Sequence, residues 1–190
     1  MHTHFLLYKP DGYLSQFVNN GPQKKRIKLL GELGDFPHGT MAVGRLDLQS
    51  EGLLILTTDG KFSDHICRSG IEKEYYAQVD GLITPEAIEQ LRSGVPITHQ
   101  KSVYQTRSGV VRRLLNVPDL PPRRKPIRDA RHGPTSWLSI TLTEGKFRQV
   151  RKMTAAVGFP TLRLVRVRIG TLSCDGLQPG VFRRIQGLKG

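Results

Sequence analysis

Along the chain, short apolar runs alternate with Gly- and Pro-rich breaks, and the spacing inside each run separates strands from helices. Two-residue alternation and β-branched or aromatic content predict strands over 5–8, 40–43, 52–57, 73–80, 102–106, 110–117, 136–143, 161–169 and 180–185. A helix is predicted over 85–93, where Thr84 can accept from the first free amides, Pro85 suits the first helical position and Gly94 can end the run. A second is predicted over 147–157, stopped by Gly158 with Pro160 beyond it. On it Phe147, Val150, Met153 (or Thr154) and Val157 recur at helical spacing as the expected buried stripe, leaving Arg148, Arg151 and Lys152 toward a cleft or solvent. Many short strands with two such helices predict an α+β domain, mixed and mainly antiparallel in its pairing.

Residues 118–135 break this rhythm. They hold five prolines and five basic residues, Arg123, Arg124, Lys125, Arg128 and Arg131, which excludes a regular helix or a central strand. A long basic surface loop is expected, and a loop of that length in a compact domain is uncommon unless it is functional or disordered.

At 190 residues the chain has room for one domain with its own core, without disulfide or metal staples. Its longest apolar runs, Phe5 to Tyr8 and Leu53 to Leu56, are far too short for a membrane helix, which needs about 20 residues. The amino terminus has no basic segment followed by an apolar stretch of signal-peptide length, so a cytoplasmic protein with no membrane partner is expected. Cys67 and Cys174 stand far apart with no paired Cys or His beside them, and free thiols are expected.

The net charge of +13 is unevenly placed. Residues 1–100 carry 10 basic and 12 acidic side chains, whereas residues 101–190 carry 19 and 4, and 14 of those 19 are arginine. Arginine's planar fork suits phosphates and base edges, so the second half points to nucleic acid; a charged surface kept for solubility would not need one sign gathered on one half.

Between two apolar strands lies Gly44-Arg45-Leu46-Asp47-Leu48-Gln49-Ser50-Glu51-Gly52. A carboxylate at the mouth of a strand with cations nearby is a candidate nucleophile, and equally a turn or cap aspartate. The chain also offers Lys9-Pro10-Asp11-Gly12 after its first strand, Lys73-Glu74-Tyr75-Tyr76 at another, Glu144-Gly145-Lys146-Phe147-Arg148-Gln149-Val150-Arg151 at the second helix and Leu164-Val165-Arg166 beyond it.

In this combination and order the sequence resembles the pseudouridine synthases, over nearly the whole chain, and specifically the branch that modifies ribosomal RNA. Pro134-Thr135-Ser136-Trp137 and the run Val157 to Leu164 look most like the E type of that branch, whose target is large-subunit RNA. The resemblance implies a bent sheet flanked by a few helices, with two lobes around a basic cleft in a single catalytic domain over 1–190. No ribosomal S4-type module is expected before the first strand.

It further implies isomerisation of uridine to pseudouridine in large-subunit (23S) ribosomal RNA by a monomer, with Asp47 as the catalytic aspartate, no cofactor and no metal. Attack on the sugar carbon, abstraction of a sugar proton to give a glycal, and addition to the base are the proposed routes. Tyr75 would pack on the uracil face, Leu164 beside it; Arg151 would pair with Asp47, and Arg45 would hold phosphate or help open the stack. Only one of Tyr75 and Tyr76 can face the cleft, and the family's Lys-x-Tyr pattern selects Tyr75. Docking is expected from Lys9, Arg123, Arg124, Lys125, Arg128, Arg131, Arg148, Lys152 and Arg166, with Lys9 in a structural or backbone role rather than a chemical one. A different class, a catalytically silent RNA-binding assembly module, would also use the basic half. A carboxylate hydrolase would want a second acid or base near Asp47, where Glu51 is the only nearby acidic residue in sequence.

Overall fold

The structure, a computed structural model, describes residues 2–18 and 27–186. The strands are β1 (His4–Lys9), β2 (Met41–Val43), β3 (Glu51–Thr57), β4 (Lys73–Asp80), β5 (Pro96–His99), β6 (Ser102–Gln105), β7 (Val110–Leu114), β8 (Thr135–Leu142), β9 (Thr161–Ile169), β10 (Leu172–Ser173) and β11 (Phe182–Ile185). The helices are α1 (Gly60–Arg68), α2 (Pro85–Ser93) and α3 (Gln149–Ala156). One sheet runs in the order β11-β1-β3-β9-β4-β8-β7, with β2 on β3 and β10 on β9; β5 and β6 form a separate hairpin.

All strand pairs of the large sheet are antiparallel except β3 with β9, which meet in parallel at only two residue pairs, Glu51 with Val165 and Gly52 with Arg166. This short seam joins two well-paired half-sheets. Gly52 makes it possible: its φ is +101°, and a Cβ there would lie 2.3 Å from the Arg166 carbonyl oxygen. Alternation along β1 and β3 sends Leu7, Leu54 and Leu56 into one core with Tyr75, Leu138, Ile140 and Leu164, and Leu6, Tyr8, Leu53 and Ile55 into a second with Val165 and Ile169. Strand β3 is buried along its whole length because both faces are covered.

Helix α2 begins and ends where its capping residues predict. Thr84 Oγ1 accepts from the Ala87 amide, Pro85 is in the first turn and Gly94 closes the helix at a positive φ. Helix α3 is shorter than expected, because Arg148 takes a left-handed conformation (φ 54°) as its N-cap. Phe147 therefore lies outside the helix and is 68 % exposed, with Lys152 Nζ over its ring, whereas Val150, Met153 and Thr154 are buried as expected. Helix α1 was not expected: Asp59 caps it through the Lys61 and Phe62 amides, and Ile66, with Phe62 partly covered beside it, packs on the second core. The β5–β6 hairpin turns through Gln100 and Lys101, both at positive φ, in the place where Asn-Gly would ordinarily announce such a turn. Residues 115–134 form the expected irregular loop, apart from one short 3₁₀ turn at 130–132.

Candidate active site

Asp47 sits in the loop between β2 and β3, one turn before the seam. That loop is tied through its backbone. The Ser15 hydroxyl donates to the Leu46 carbonyl and accepts from its amide, the Ser50 amide donates to the Asp47 carbonyl, and the Gly12 amide donates to the Leu48 carbonyl. Lys9 Nζ donates to the carbonyls of Ser50 at 2.8 Å, Pro10 at 2.9 Å and Leu48 at 3.4 Å. Lys9 is fully buried, and burial pushes its ammonium down to about 7. It holds the Asp47 loop from beneath and cannot reach RNA, so its place in the expected docking set is corrected to the structural role.

Two arginines of the α3 segment converge on Asp47 from the other half-sheet. Arg151 Nε lies 3.6 Å and Arg148 3.8 Å from Oδ2, and the Ser50 hydroxyl is 3.4 Å from the same oxygen. Arg151 also donates to Ser50 Oγ and to the Thr161 carbonyl, which fixes its fork. Burial and then the Arg148 charge lower the Arg151 pKa, while Asp47 raises it; the guanidinium stays charged throughout the working range. The expected Asp47–Arg151 pair is present. Arg148, expected only to contact RNA, shares the same carboxylate, and its left-handed backbone is what turns it there.

Asp47, Tyr75, Leu164, Arg45 and Arg148 line one cavity of about 60 Å³. Tyr75 and Leu164 are buried on its floor, while Tyr76 on the opposite face of β4 packs against the second core. Arg45 is exposed at the rim. The Glu144-to-Gln149 motif builds the wall: Glu144 accepts from Tyr104 Oη, the Arg107 amide and Gln149 Nε2, and Gln149 accepts from the Lys146 amide. Burial alone would raise the Glu144 pKa, and these hydrogen bonds outweigh it and lower it. Both side chains position the start of α3 rather than take part in chemistry.

Beside this cavity lies a groove of about 700 Å³ whose basic lining is Lys28, Arg123, Arg124, Lys125, Arg128, Arg148 and Arg151, with Asp11 as its acidic member. Of the five basic residues in the 118–135 loop, only Arg124 and Lys125 are exposed without an ion pair among the described residues. Arg123 is sequestered against Asp11 and Glu51, Arg128 pairs with Asp80, and Arg131 pairs with Asp129. Three more docking expectations are revised. Arg166 is buried and donates from Nε to the Leu53 carbonyl, stapling the seam. Lys152 donates to the Thr98 carbonyl on the β5–β6 hairpin. Arg123 is committed to its two carboxylates. Sequence reading also missed Arg163, which chelates the buried Glu51 across the seam with two hydrogen bonds; nothing in charge or periodicity distinguished it from its neighbours. Glu51 is thus spent on structure. Among the described residues no group of three or more His, Cys, Asp or Glu forms a metal-ligand set.

The family model described as RNA pseudouridylate synthase matches residues 3–156. The chain belongs to that family. Ribosomal large subunit pseudouridine synthase E of Xanthomonas axonopodis pv. citri (strain 306) is 46 % identical over 176 residues, covering 92 % of this chain and 89 % of the relative. The protein of the same description from Vibrio parahaemolyticus serotype O3:K6 is 38 % identical over 182 residues, covering 94 % and 71 %. Ribosomal large subunit pseudouridine synthase B of Bacillus subtilis (strain 168) is 29 % identical over 185 residues, covering 96 % and 68 %. A crystal structure of a pseudouridylate synthase superimposes with a TM-score of 0.76 at 22 % identity, covering 98 % of this chain and 71 % of the other, so the fold is that of the pseudouridylate synthases. The mixed, mainly antiparallel sheet with its few helices is the expected architecture.

Proposed function

We infer that this protein isomerises a uridine of large-subunit (23S) ribosomal RNA to pseudouridine, with Asp47 as the catalytic carboxylate. The observation that carries the reading is Asp47 held between Arg148 and Arg151 at the mouth of a cavity floored by Tyr75 and Leu164. A base turned out of its stack can lie on the Tyr75 ring with Leu164 beside it, which brings its ribose toward the carboxylate. The glycosidic bond to N1 then breaks, the uracil rotates while still held on that floor, and its carbon 5 bonds to the sugar. The proton displaced from carbon 5 leaves, and N1 gains one, so the product is an isomer. Attack at the sugar carbon and glycal formation both ask the same of this chain: an ionised carboxylate beside the sugar, fixed in direction, with cations that hold its charge. Tyr75's hydroxyl is the polar group on the floor that can relay the proton.

Docking is the task of the basic groove, where Arg124, Lys125, Lys28 and Arg148 offer charge to the phosphates on the strand next to the target. The enzyme acts as a monomer in the cytoplasm, its single catalytic domain placing one lobe on each side of the seam. Among the described residues, no helix is long and apolar enough to cross a membrane. The identity of relatives named for the large subunit supports that ribosomal substrate over one in the small subunit.

The test is to map pseudouridine in ribosomal RNA from cells lacking the protein. Loss of one large-subunit site, restored by the wild-type gene and not by Asp47→Asn, is the expected result. An unchanged map would favour a silent assembly factor, and a lost small-subunit site would reassign the substrate.

A further inference from the structure

Five consecutive carbonyls, Leu46 to Ser50, all accept hydrogen bonds, and four of the donors come from Lys9, Gly12, Ser15 and Ser50, close to the catalytic loop in space and belonging to its own half-sheet or to the loop itself. The fifth comes from far away. Arg123 Nη2 donates to the Gln49 carbonyl at 3.2 Å and to Asp11 Oδ1 at 2.6 Å, and its Nε lies 3.1 Å from Glu51 Oε2. The side chains of Arg123, Asp11 and Glu51 are 13 %, 11 % and 2 % exposed, so this is a nearly dry cluster in which charge interactions are strong. The loop is held from the other direction too: Arg163, already chelating Glu51, donates to the Pro121 carbonyl.

We propose that Arg123 is a positioning residue of the isomerisation: from the 118–135 loop it clamps Asp11, in the turn after β1, to Gln49 and Glu51, which follow Asp47 in its own loop, and so fixes the direction of the catalytic carboxylate. This rests on the assignment of Asp47 above. It divides the loop's cations by role: Arg124 and Lys125 are exposed in the groove as phosphate contacts, whereas Arg123, in the wall of the same groove, has its guanidinium committed to Asp11, Gln49 and Glu51 as the pin of the catalytic loop. Without it the Gln49 carbonyl loses its donor and Asp11 loses its counter-charge. The Ser50 hydroxyl, which touches both Asp47 and Arg151, lies between Gln49 and Glu51, so movement there is passed directly to the reacting group. A misplacement on the order of 1 Å in a reacting group can lower a rate by roughly 10²-fold.

The experiment is single-turnover conversion of a large-subunit RNA fragment with enzyme in excess, so that the rate constant does not depend on the fraction of folded enzyme, together with filter binding across a salt series. Arg123→Met should lower the saturated rate about ten- to a hundredfold while affinity and salt slope stay at wild type, and Arg123→Lys should recover part of the rate by restoring one donor and one charge. Arg124→Met combined with Lys125→Met should instead weaken binding and flatten the salt slope by roughly 1.4 to 1.8, two contacts' worth. Arg123→Met with a wild-type saturated rate, or with a flattened salt slope as its main effect, would overturn the proposal and return Arg123 to structure or docking. Asp47→Asn runs alongside: product from that variant overturns the site assignment itself, whereas a dead Asp47→Asn beside a fully active Arg123→Met overturns only the role of Arg123.

Discussion

Replacing Arg151 with Met removes the better buried of the two cations on Asp47 and keeps the length and apolar stem of the side chain. At 3.6 Å the charge interaction is about 1 kcal/mol in a water-like medium and ~4.6 kcal/mol at an effective dielectric of about 20. The Arg151 side chain is 10 % exposed, which places the interaction toward the upper part of that range, but Arg148 at 3.8 Å remains and compensates in part. A loss of ~2–3 kcal/mol follows, or roughly 30- to 150-fold in turnover. The assay is tritium release from carbon 5 of labelled uridine in RNA, measured from pH 5 to 9. Lysine should rescue incompletely, because one ammonium cannot serve Asp47, Ser50 and the Thr161 carbonyl together. An Arg151→Met enzyme with wild-type turnover would refute the electrostatic role.

Two further predictions concern the frame. Lys9→Met should destabilise the protein at neutral pH by loosening residues 48–50. It should also remove an alkaline gain: with a folded pKa of about 7 against 10.5 for a free lysine, the unfolded chain holds a proton between those values that the folded chain has released, so wild-type stability should rise with pH through that window. Urea midpoints of both proteins at pH 7 and 9.5 measure the difference, and equal slopes would show that Lys9 stays charged in the fold. Gly52→Ala should destabilise by at least ~2–3 kcal/mol, since the new methyl meets the Arg166 carbonyl at 2.3 Å in a left-handed backbone position; thermal melting checks this, and a wild-type transition would mean that the seam opens easily.

The residues that the structure gathers around Asp47 were legible because they lie in short motifs at strand ends, and Tyr75 was assigned to the cleft by the two-residue alternation of β4 together with the family pattern. The frame beneath them was not. Arg166 read as basic surface and Arg163 as no more than one of many arginines, yet the two-residue parallel seam is crossed by their side chains: Arg166 reaches the Leu53 carbonyl across it and Arg163 the Glu51 carboxylate. Charge counting gives the sign of a side chain and says nothing of whether a backbone carbonyl is waiting for it. The same limit applies to the 118–135 loop, whose composition announced an RNA-docking surface while Arg123, Arg128 and Arg131 are each committed to an acid of this chain. Helical periodicity already placed Arg148 on the side of Arg151, toward a cleft or solvent; what it did not show is that Arg148, as a left-handed N-cap, shares the Asp47 carboxylate rather than only reaching RNA.

The central claim, that one carboxylate carries the isomerisation, is tested most directly by Asp47→Asn in the tritium-release assay on a large-subunit RNA fragment, with binding measured on the same preparation. The amide keeps the size of the side chain and lacks the charge and nucleophilicity of the carboxylate. The account predicts wild-type RNA affinity with release reduced at least ~10³-fold, equivalent to ~4 kcal/mol of barrier. Release within a fewfold of wild type by the correctly folded variant would contradict it.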